Sequence, residues 1–437
     1  MQLKRKRGLK RALLASSCAL LGTSARDALA DAGDWNFDAG LLYYTEVGGI
    51  TAKEPVLLAK RDFGDDVFLK LNLVVDALTG ATPTGGMPSS KPQTVTGPSG
   101  INTTSQRAGV TPMDGNFRDT RKAITVTWDQ PFAGQWHWEA SAAYSIEHDF
   151  KSQGASTLFA RDFDRRNTTV SAGVAYEHDD VFPIGGIPEP LSEAPQVLPM
   201  AADRSKTVKS MLLGLSQVMS HDWVAKLNFS YGDSDGYLND PYKVVSIINT
   251  HLGGKAGLPG FPGGPGGGFG PPLGEPIGEI YENRPGSRHE KALYLDNRVA
   301  FAGDMLSLAY RYAWDDWGIH SNMLELRYRW AFAGDYYLQP HLRWYRQSAA
   351  DFYHRGLLDS DAIPTDVSAD YRLAAFTGRT LGLEFGAQLA GTQTFSVRIE
   401  HYSQGGGSDP HVEVGEQTGY DLFPGLSADI VQVDFTF

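Results

Sequence analysis

Stretches of nine to eleven residues in which apolar and polar side chains alternate recur along most of this chain, and nothing else in it constrains the fold as tightly. From Trp136 to Ile146 every even position is apolar or aromatic, while His137, Glu139, Ser141 and Ser145 take the other side. Val67, Leu69, Leu71, Leu73 and Val75 alternate likewise with Lys70, Asn72 and Asp76. The pattern returns with Trp223, Leu227 and Tyr231 against Lys226 and Asn228, and with Leu324, Leu326, Tyr328 and Trp330 against Glu325, Arg327 and Arg329. Successive strand side chains point to opposite faces, so each segment reads as a strand with one face for lipid and one for water. Strands that cross a bilayer at a tilt need about 9–11 residues, whereas soluble strands are nearer five or six.

Turns allow these strands to be counted. Phe132-Ala-Gly-Gln135, Phe301-Ala-Gly-Asp304 and Phe332-Ala-Gly-Asp335 each separate two such segments by a tight glycine-containing turn. Longer connections rich in Gly, Pro, Asp and Asn occupy 77–118, 179–204, 232–287, 346–378 and 403–427. The pattern predicts sixteen strands, near 35–45, 54–62, 66–76, 120–130, 134–148, 155–162, 167–178, 206–218, 222–231, 290–301, 304–313, 319–332, 336–346, 379–389, 393–402 and 428–437. Fourteen stays open, because 54–62 and 155–162 alternate least clearly. Pro340 falls inside a strand, where it cannot donate to a ladder. With both termini periplasmic, every long connection is expected outside and nearly every short one inside. The fold class is therefore all-β: a single antiparallel transmembrane barrel of the outer-membrane type, spanning 31–437.

The ends of the chain agree. Lys4-Arg-Lys-Arg7 and Lys10-Arg11 precede an apolar run from Ala12 to Leu21 and an Ala28-Leu29-Ala30 cleavage pattern, which reads as a secretory signal over 1–30. That run is too short for a spanning helix, which needs about 20 residues. Cys18, the sole cysteine, lies within it, so the exported protein is expected to hold no thiol. At the other end Val431, Val433, Phe435 and Phe437 share one face against Gln432, Asp434 and Thr436. Phe437 is the expected assembly signal for the barrel-assembly machinery, and lipid of a Gram-negative outer membrane the expected surroundings. Segment 1–30 holds seven Lys/Arg and one Asp, so its removal moves the formal charge from −12 to −18. Such acidity disfavours nucleic acid as a partner and would bias any pore toward cations.

Sixteen strands enclose more space than inward side chains fill, so the lumen must either conduct or be plugged. Connection 232–287, with its glycine-proline run Pro259 to Pro272, is the candidate plug or lid; the run itself cannot bury enough apolar surface to order its tip. Inward positions of the later strands collect charge: Asp296, Arg298, Arg311, Glu325, Arg327, Arg329, Arg343, Glu384, Arg398 and Glu400 are candidate lumen-lining residues. Facing acidic and basic rows can orient small solutes, although an Arg–Glu ladder that merely cross-links strands produces the same pattern.

Val75-Asp-Ala-Leu-Thr-Gly-Ala-Thr-Pro-Thr-Gly85, with Gln93-Thr94 and Gly97-Pro-Ser-Gly100, resembles the pattern of a family of exported Gram-negative proteins catalogued as a domain of unknown function. Its motif residues here are Asp76, Thr79, Gly80, Pro83 and Gly85. Further matching stretches are 161–169, 236–243, Tyr281 to Pro285, Asp315 to Gly318 and Arg346 to Tyr353. The resemblance covers nearly all of the exported chain and implies an outer-membrane-type barrel. It brings no activity, substrate or catalytic residue with it. The insert at 252–274 departs from the family pattern, which counts against a plugging role for its tip.

Specific chemistry is sparse. Asp233-Ser-Asp-Gly-Tyr-Leu-Asn-Asp240 and Trp314-Asp-Asp-Trp317 crowd oxygen ligands at strand ends, as a calcium site would, but solvated turn aspartates give the same spacing. His401-Tyr-Ser403 and Ser99 are the nearest approach to a hydrolase, without elbow or triad spacing, and no Walker loop, HExxH or paired CxxC occurs. Trp136, Trp138, Tyr144, Tyr328, Trp330 and Trp344 read as lipid-interface aromatics. The chain is thus expected to be non-enzymatic, without cofactor or metal. A porin-like channel for small solutes leads. A plugged structural barrel that docks another envelope protein is the alternative, favoured if 77–118 or 346–378 fold inside. An outer-membrane hydrolase comes third, revived if a serine, a histidine and an acid meet at one rim.

Overall fold

The computed structural model describes residues 35–96, 103–195, 201–251, 270–389, 391–406, 409–423 and 425–437. The leader at 1–30, Ser99 and most of the glycine-proline run lie outside them. Among the described residues twenty-one strands form in chain order. The first six are β1 (Trp35–Glu46), β2 (Ile50–Asp62), β3 (Phe68–Pro83), β4 (Gln93–Thr96), β5 (Thr103–Gln106) and β6 (Met113–Phe132). Next come β7 (Trp136–Ile146), β8 (Phe150–Phe163), β9 (Thr168–Val181), β10 (Arg204–Ser220), β11 (Trp223–Gly236), β12 (Val244–Ile248) and β13 (Pro276–Tyr281). The chain continues with β14 (Ser287–Phe301), β15 (Asp304–Asp315), β16 (His320–Phe332), β17 (Tyr336–Gln347), β18 (Leu357–Leu358), β19 (Phe376–Gln388), β20 (Thr394–Gly406) and β21 (Leu426–Thr436).

Sixteen of these close one antiparallel barrel in chain order, all except β4, β5, β12, β13 and β18. β1 seals it against β21 through pairs such as Tyr44↔Ile430 and Leu42↔Gln432, and Phe37 and Phe437 exchange both backbone bonds at 2.8 Å. Closure leaves no edge, which lipid demands because it offers no hydrogen bonds to an unpaired backbone. The two weakest sequence segments are full strands, β2 and β8. Prolines are tolerated where the sequence forbids continuous pairing: the β16–β17 ladder skips the rows holding Pro340 and resumes in register, while on its other side Pro340 pairs Leu383. Pro55 does the same between β2 and its neighbours.

Every connection at the end carrying both strand termini is five residues or fewer, from 63–67 round to 389–393, whereas five long connections gather at the opposite end. At the short-turn end the three Ala-Gly turns place both residues in the left-handed region, with Ala133, Ala302 and Ala333 at φ 48°, 52° and 49°. That twist suits the two-residue hairpin at 302–303, while 133–135 and 333–335 carry one residue more. Just above them runs an outward belt of stacked rings, including Trp35–Phe37–Phe437 and Phe332–Tyr336–Phe385. Trp136, Trp138, Tyr328 and Trp330 belong to this outward series, and Tyr144 and Trp344 face outward nearer the other end. Between the two ends exposed leucine, isoleucine and valine coat the exterior.

Candidate functional site: a loop plug over a charged lumen

The long connections do not splay away from the barrel. β12 pairs antiparallel with β13 and parallel with β18, so connections 237–286 and 348–375 share one small sheet. Val245, Ile247, Ile280, Leu357, Val367 and Ala369 form its apolar core. Met87, Ile248, Val412 and Leu422 form a second core, drawn from three different connections. A third cluster seats Ala374 and Phe423 of the connections against inward barrel residues Met323, Tyr345 and Phe376, with Tyr371 and Tyr294 beside them. The connections therefore make a plug that reaches into the barrel mouth. The expected plug 232–287 contributes, and so do 84–112 and 348–375, the inward folding expected of a plugged barrel, with 409–423 joining them.

Polar side chains hold the plug together. Arg355 is buried and fans its guanidinium over three backbone carbonyls, with Nε donating to Leu422 O at 2.6 Å, Nη1 to Gly85 O at 2.7 Å and Nη2 to Gly86 O at 3.0 Å. Gln417, fully buried, donates to Pro88 O at 2.7 Å and Gly274 O at 2.9 Å. A buried charge network joins the 237–286 and 348–375 connections: Arg284 donates to Glu282 at 3.0 Å and Asp370 at 2.9 Å, and Arg372 to Asp370 at 2.6 Å and Asp240 at 2.7 Å. Burial alone would raise the Asp370 carboxyl, but Arg372, Arg284 and Lys243 outweigh it and hold the group well below the usual carboxylate range. Glu282 goes the other way, since its burial exceeds what Arg284 returns. Burial also pushes the Tyr353 hydroxyl up to about 12.

The motif residues lie where β3 leaves the barrel and enters this plug. Asp76, 2% exposed, takes Arg121 Nε at 2.5 Å across the β3–β6 ladder, and Thr79 pairs outward with Thr51. Gly80 has φ +126°, and a Cβ there would sit 2.3 Å from Gly49 O. Gly85, at φ +99°, lets the chain pass so close to β12 that a Cβ would meet Val244 O at 2.3 Å. The carbonyl of Pro83 accepts from Lys243 Nζ. These residues turn the strand end inward and lock it to β12.

Below the plug, the register puts all ten charged candidates on the lumenal face. Most are paired. Asp296 accepts from Arg298 at 3.1 Å; Glu325 faces Arg327; Glu400 accepts from His341 Nδ1 at 2.7 Å and faces Arg398 at 3.6 Å. His341 Nε2 lies 3.1 Å from Glu325 Oε1 but off the hydrogen-bonding direction. Glu384 accepts from Tyr337 at 2.7 Å, and Arg329 stacks over the Tyr337 ring at 3.6 Å. Arg311 and Arg343 differ: neither has a hydrogen-bond or ion-pair partner among the described residues, and Arg343 Nε is shut from solvent. They flank β16 just below the plug, opposite Met323 and Glu325 respectively. His341, which links two of the candidate acids, sits on the inward face between outward Pro340 and Leu342, and was missed because only Asp, Glu and Arg were counted as charged lumen positions.

Three of the suspected calcium ligands already have basic side-chain partners. Asp240 is held by Arg372, Asp315 by Arg288, and Asp316 by His289 at 2.6 Å. Instead Asp119, Glu147 and Asp149 bring carboxylate oxygens within 4.8 Å of one another at the plugged rim, where Tyr242 OH donates to Asp149 at 2.6 Å. Ser403 does not bond His401. The histidine instead meets Asp429 and Ser427 on β21, a pairing that strand register creates and sequence spacing hides.

A closed sixteen-strand antiparallel barrel, apolar outside, charged within and plugged by its own connections, defines an outer-membrane-type β-barrel. The chain belongs to the family described as "Protein of unknown function (DUF3570)", whose model matches residues 10–437. No curated protein matches the sequence. Among solved structures it is similar to the ferric enterobactin receptor PfeA of Pseudomonas aeruginosa (11% identity, TM-score 0.41, covering 85% of this chain and 53% of that one). It is also similar to the siderophore receptor PirA of Acinetobacter baumannii (7%, 0.40, 85% and 53%) and to the CymD monoaromatic hydrocarbon channel (8%, 0.39, 93% and 88%). The chain spans about half the length of the two receptors.

Proposed function

We propose that the protein sits in a Gram-negative outer membrane, plugged end outward, as a loop-gated channel for small anionic solutes. The observation that carries this reading is the plug itself. It closes the mouth of a barrel too wide for its side chains to fill, yet it is held by side-chain contacts that can open together. Beneath it Arg311 and Arg343, which make no hydrogen bond or close ion pair among the described residues although Glu290 and Glu325 lie near them, offer forked donors to a carboxylate or phosphate. The acidic connections would favour cations if exposed, but Asp240, Glu282 and Asp370 are engaged with arginines inside the plug. Assembly would be by the barrel-assembly machinery acting on the strand that ends in Phe437.

The plug's apolar cores also support a second reading, a permanently closed barrel whose outer surface docks another envelope protein. Single-channel recording in planar bilayers separates the two. The native protein is expected to stay mostly closed, and a plug-weakened variant (Arg355→Ala with Arg372→Ala) to show discrete steps with an anion-side reversal potential. Steady open steps from the native protein would remove gating. Silence from both, with folded barrels verified by heat-modifiable gel mobility, would replace the channel with the docking role.

A further inference from the structure

On the three adjacent strands β19, β20 and β21 the outer face changes character along one line near the plugged end. Going up β20 the outward residues run Val397, Ile399, His401, Ser403; on β19 they run Leu383, Leu381, Arg379, Thr377; and on β21 Val433, Val431, Asp429, Ser427. Leu381 and Ile399 are 64% and 60% exposed, as lipid-facing residues are, and directly above them every outward side chain is polar. In a bilayer this boundary is where acyl chains meet headgroups, and so where the ester carbonyls of membrane lipids lie.

At that boundary His401 Nδ1 lies 2.8 Å from Asp429 Oδ1, and Ser427 Oγ lies 3.5 Å from His401 Nε2. A carboxylate only accepts, so Nδ1 carries the proton and Nε2 is left free to accept from the serine hydroxyl. Nucleophile, base and orienter are thus in sequence, the arrangement that activates serine on unrelated folds. Arg379 occupies the next strand but one from Ser427, roughly 10 Å away between Cα atoms at ordinary strand spacing and within reach of a guanidinium. It has no ion-pair partner among the described residues. One row further out a depression of about 590 Å³ opens, lined by Asn322, Arg346, Thr377 and Gly405 among others.

We propose that Ser427, His401 and Asp429 form an acyl-ester hydrolase site facing the lipid, whose substrate is an acylated membrane lipid with an anionic headgroup. Ser427 Oγ attacks the ester carbonyl as its proton passes to His401 Nε2, and Arg379 faces the oxyanion that forms. Collapse breaks the bond to the alcohol oxygen, which takes the proton back from His401, leaving an acyl-serine. Water, deprotonated by the same nitrogen, then releases the fatty acid and restores Ser427. Asp429 is a positioning residue that keeps the ring in the required tautomer, and Arg346 seats the headgroup in the depression.

The test uses the full chain folded into vesicles of an anionic phospholipid, read by free fatty acid released, alongside a fluorophosphonate probe with mass-spectrometric mapping. Stoichiometric labelling of Ser427 and fatty-acid release are expected. Ser427→Ala should abolish both, and His401→Asn or Asp429→Asn should lower turnover by on the order of a thousandfold or more. Ser403→Ala should leave both intact. Arg346→Gln should raise the apparent KM on anionic vesicles with little change in kcat and no change on zwitterionic ones. All these side chains are on the exterior, so folding is checked simply by heat-modifiable mobility. No labelling and no release by the folded native protein, or release that survives Ser427→Ala, overturns the proposal. The lumen plays no part in this assay, so its outcome is independent of the channel reading.

Discussion

Replacing Arg355 by alanine removes three hydrogen bonds at 2.6, 2.7 and 3.0 Å from a buried guanidinium and strands the carbonyls of Leu422, Gly85 and Gly86. Hydrogen bonds to a charged group are each worth about 1.5–3 kcal/mol, so a simple sum would reach about 4.5–9 kcal/mol. The sum overstates the loss, because alanine also removes a cation whose desolvation opposes folding. Three stranded carbonyls cost about 1–3 kcal/mol each, partly offset by the desolvation that the cation no longer suffers, so about 3–5 kcal/mol is the better figure here. At about 1.4 kcal/mol per tenfold, the opening constant of the plug should rise by roughly two to three and a half orders of magnitude. Hydrogen exchange followed by mass spectrometry reads this directly: amides of β12 and β13 should lose protection by that factor while β9, β10 and β20 keep theirs. Lysine should recover less than half, since one ammonium cannot span three carbonyls fixed in a fork. A change below tenfold at β12 and β13 would refute the keystone role. An equal loss in barrel strands would refute the idea that the plug opens as a separate unit.

Acid should loosen the plug in a defined window. The Asp370 carboxyl is held far below its ordinary 3.8, so the stability it supplies is complete above that value and drains away as pH falls below about 4; exchange at β12 and β13 should speed up over that range in the native protein, and Asp370→Asn should be looser throughout but show no such slope. The strained turns should respond to the opposite change. Ala302 and Ala333 occupy left-handed backbone, so glycine at either should stabilise the folded barrel by about 0.5–1 kcal/mol in urea unfolding from lipid vesicles, and valine there should cost more than that.

By itself the sequence determined the barrel. Lipid on one side and water on the other force a two-residue alternation onto every spanning strand, so sixteen segments, their even count and their turns were readable along the chain, and the observed ends of β1, β14 and β16 fall within three residues of those expected. Even the weak cases fail for local reasons: Pro55 interrupts β2, and Gly154 with its small neighbours blurs β8. The inward facing of Arg327, Arg343 and Glu400 follows from the same alternation. What only the tertiary structure decided is what the connections do. The plug is assembled from contacts such as Arg355 to Gly85, 270 residues apart, between segments with no periodicity to betray them. Partnering across strands is equally invisible: Arg298 has Asp296 two residues away on its own face, but the contact of His341 with Glu400 joins residues 59 apart in sequence. The meeting of Ser427, His401 and Asp429 has the same cause. Two strands brought into one register place side chains 26 and 28 residues apart on one exposed patch, and a one-residue slip would send half of them to the other face.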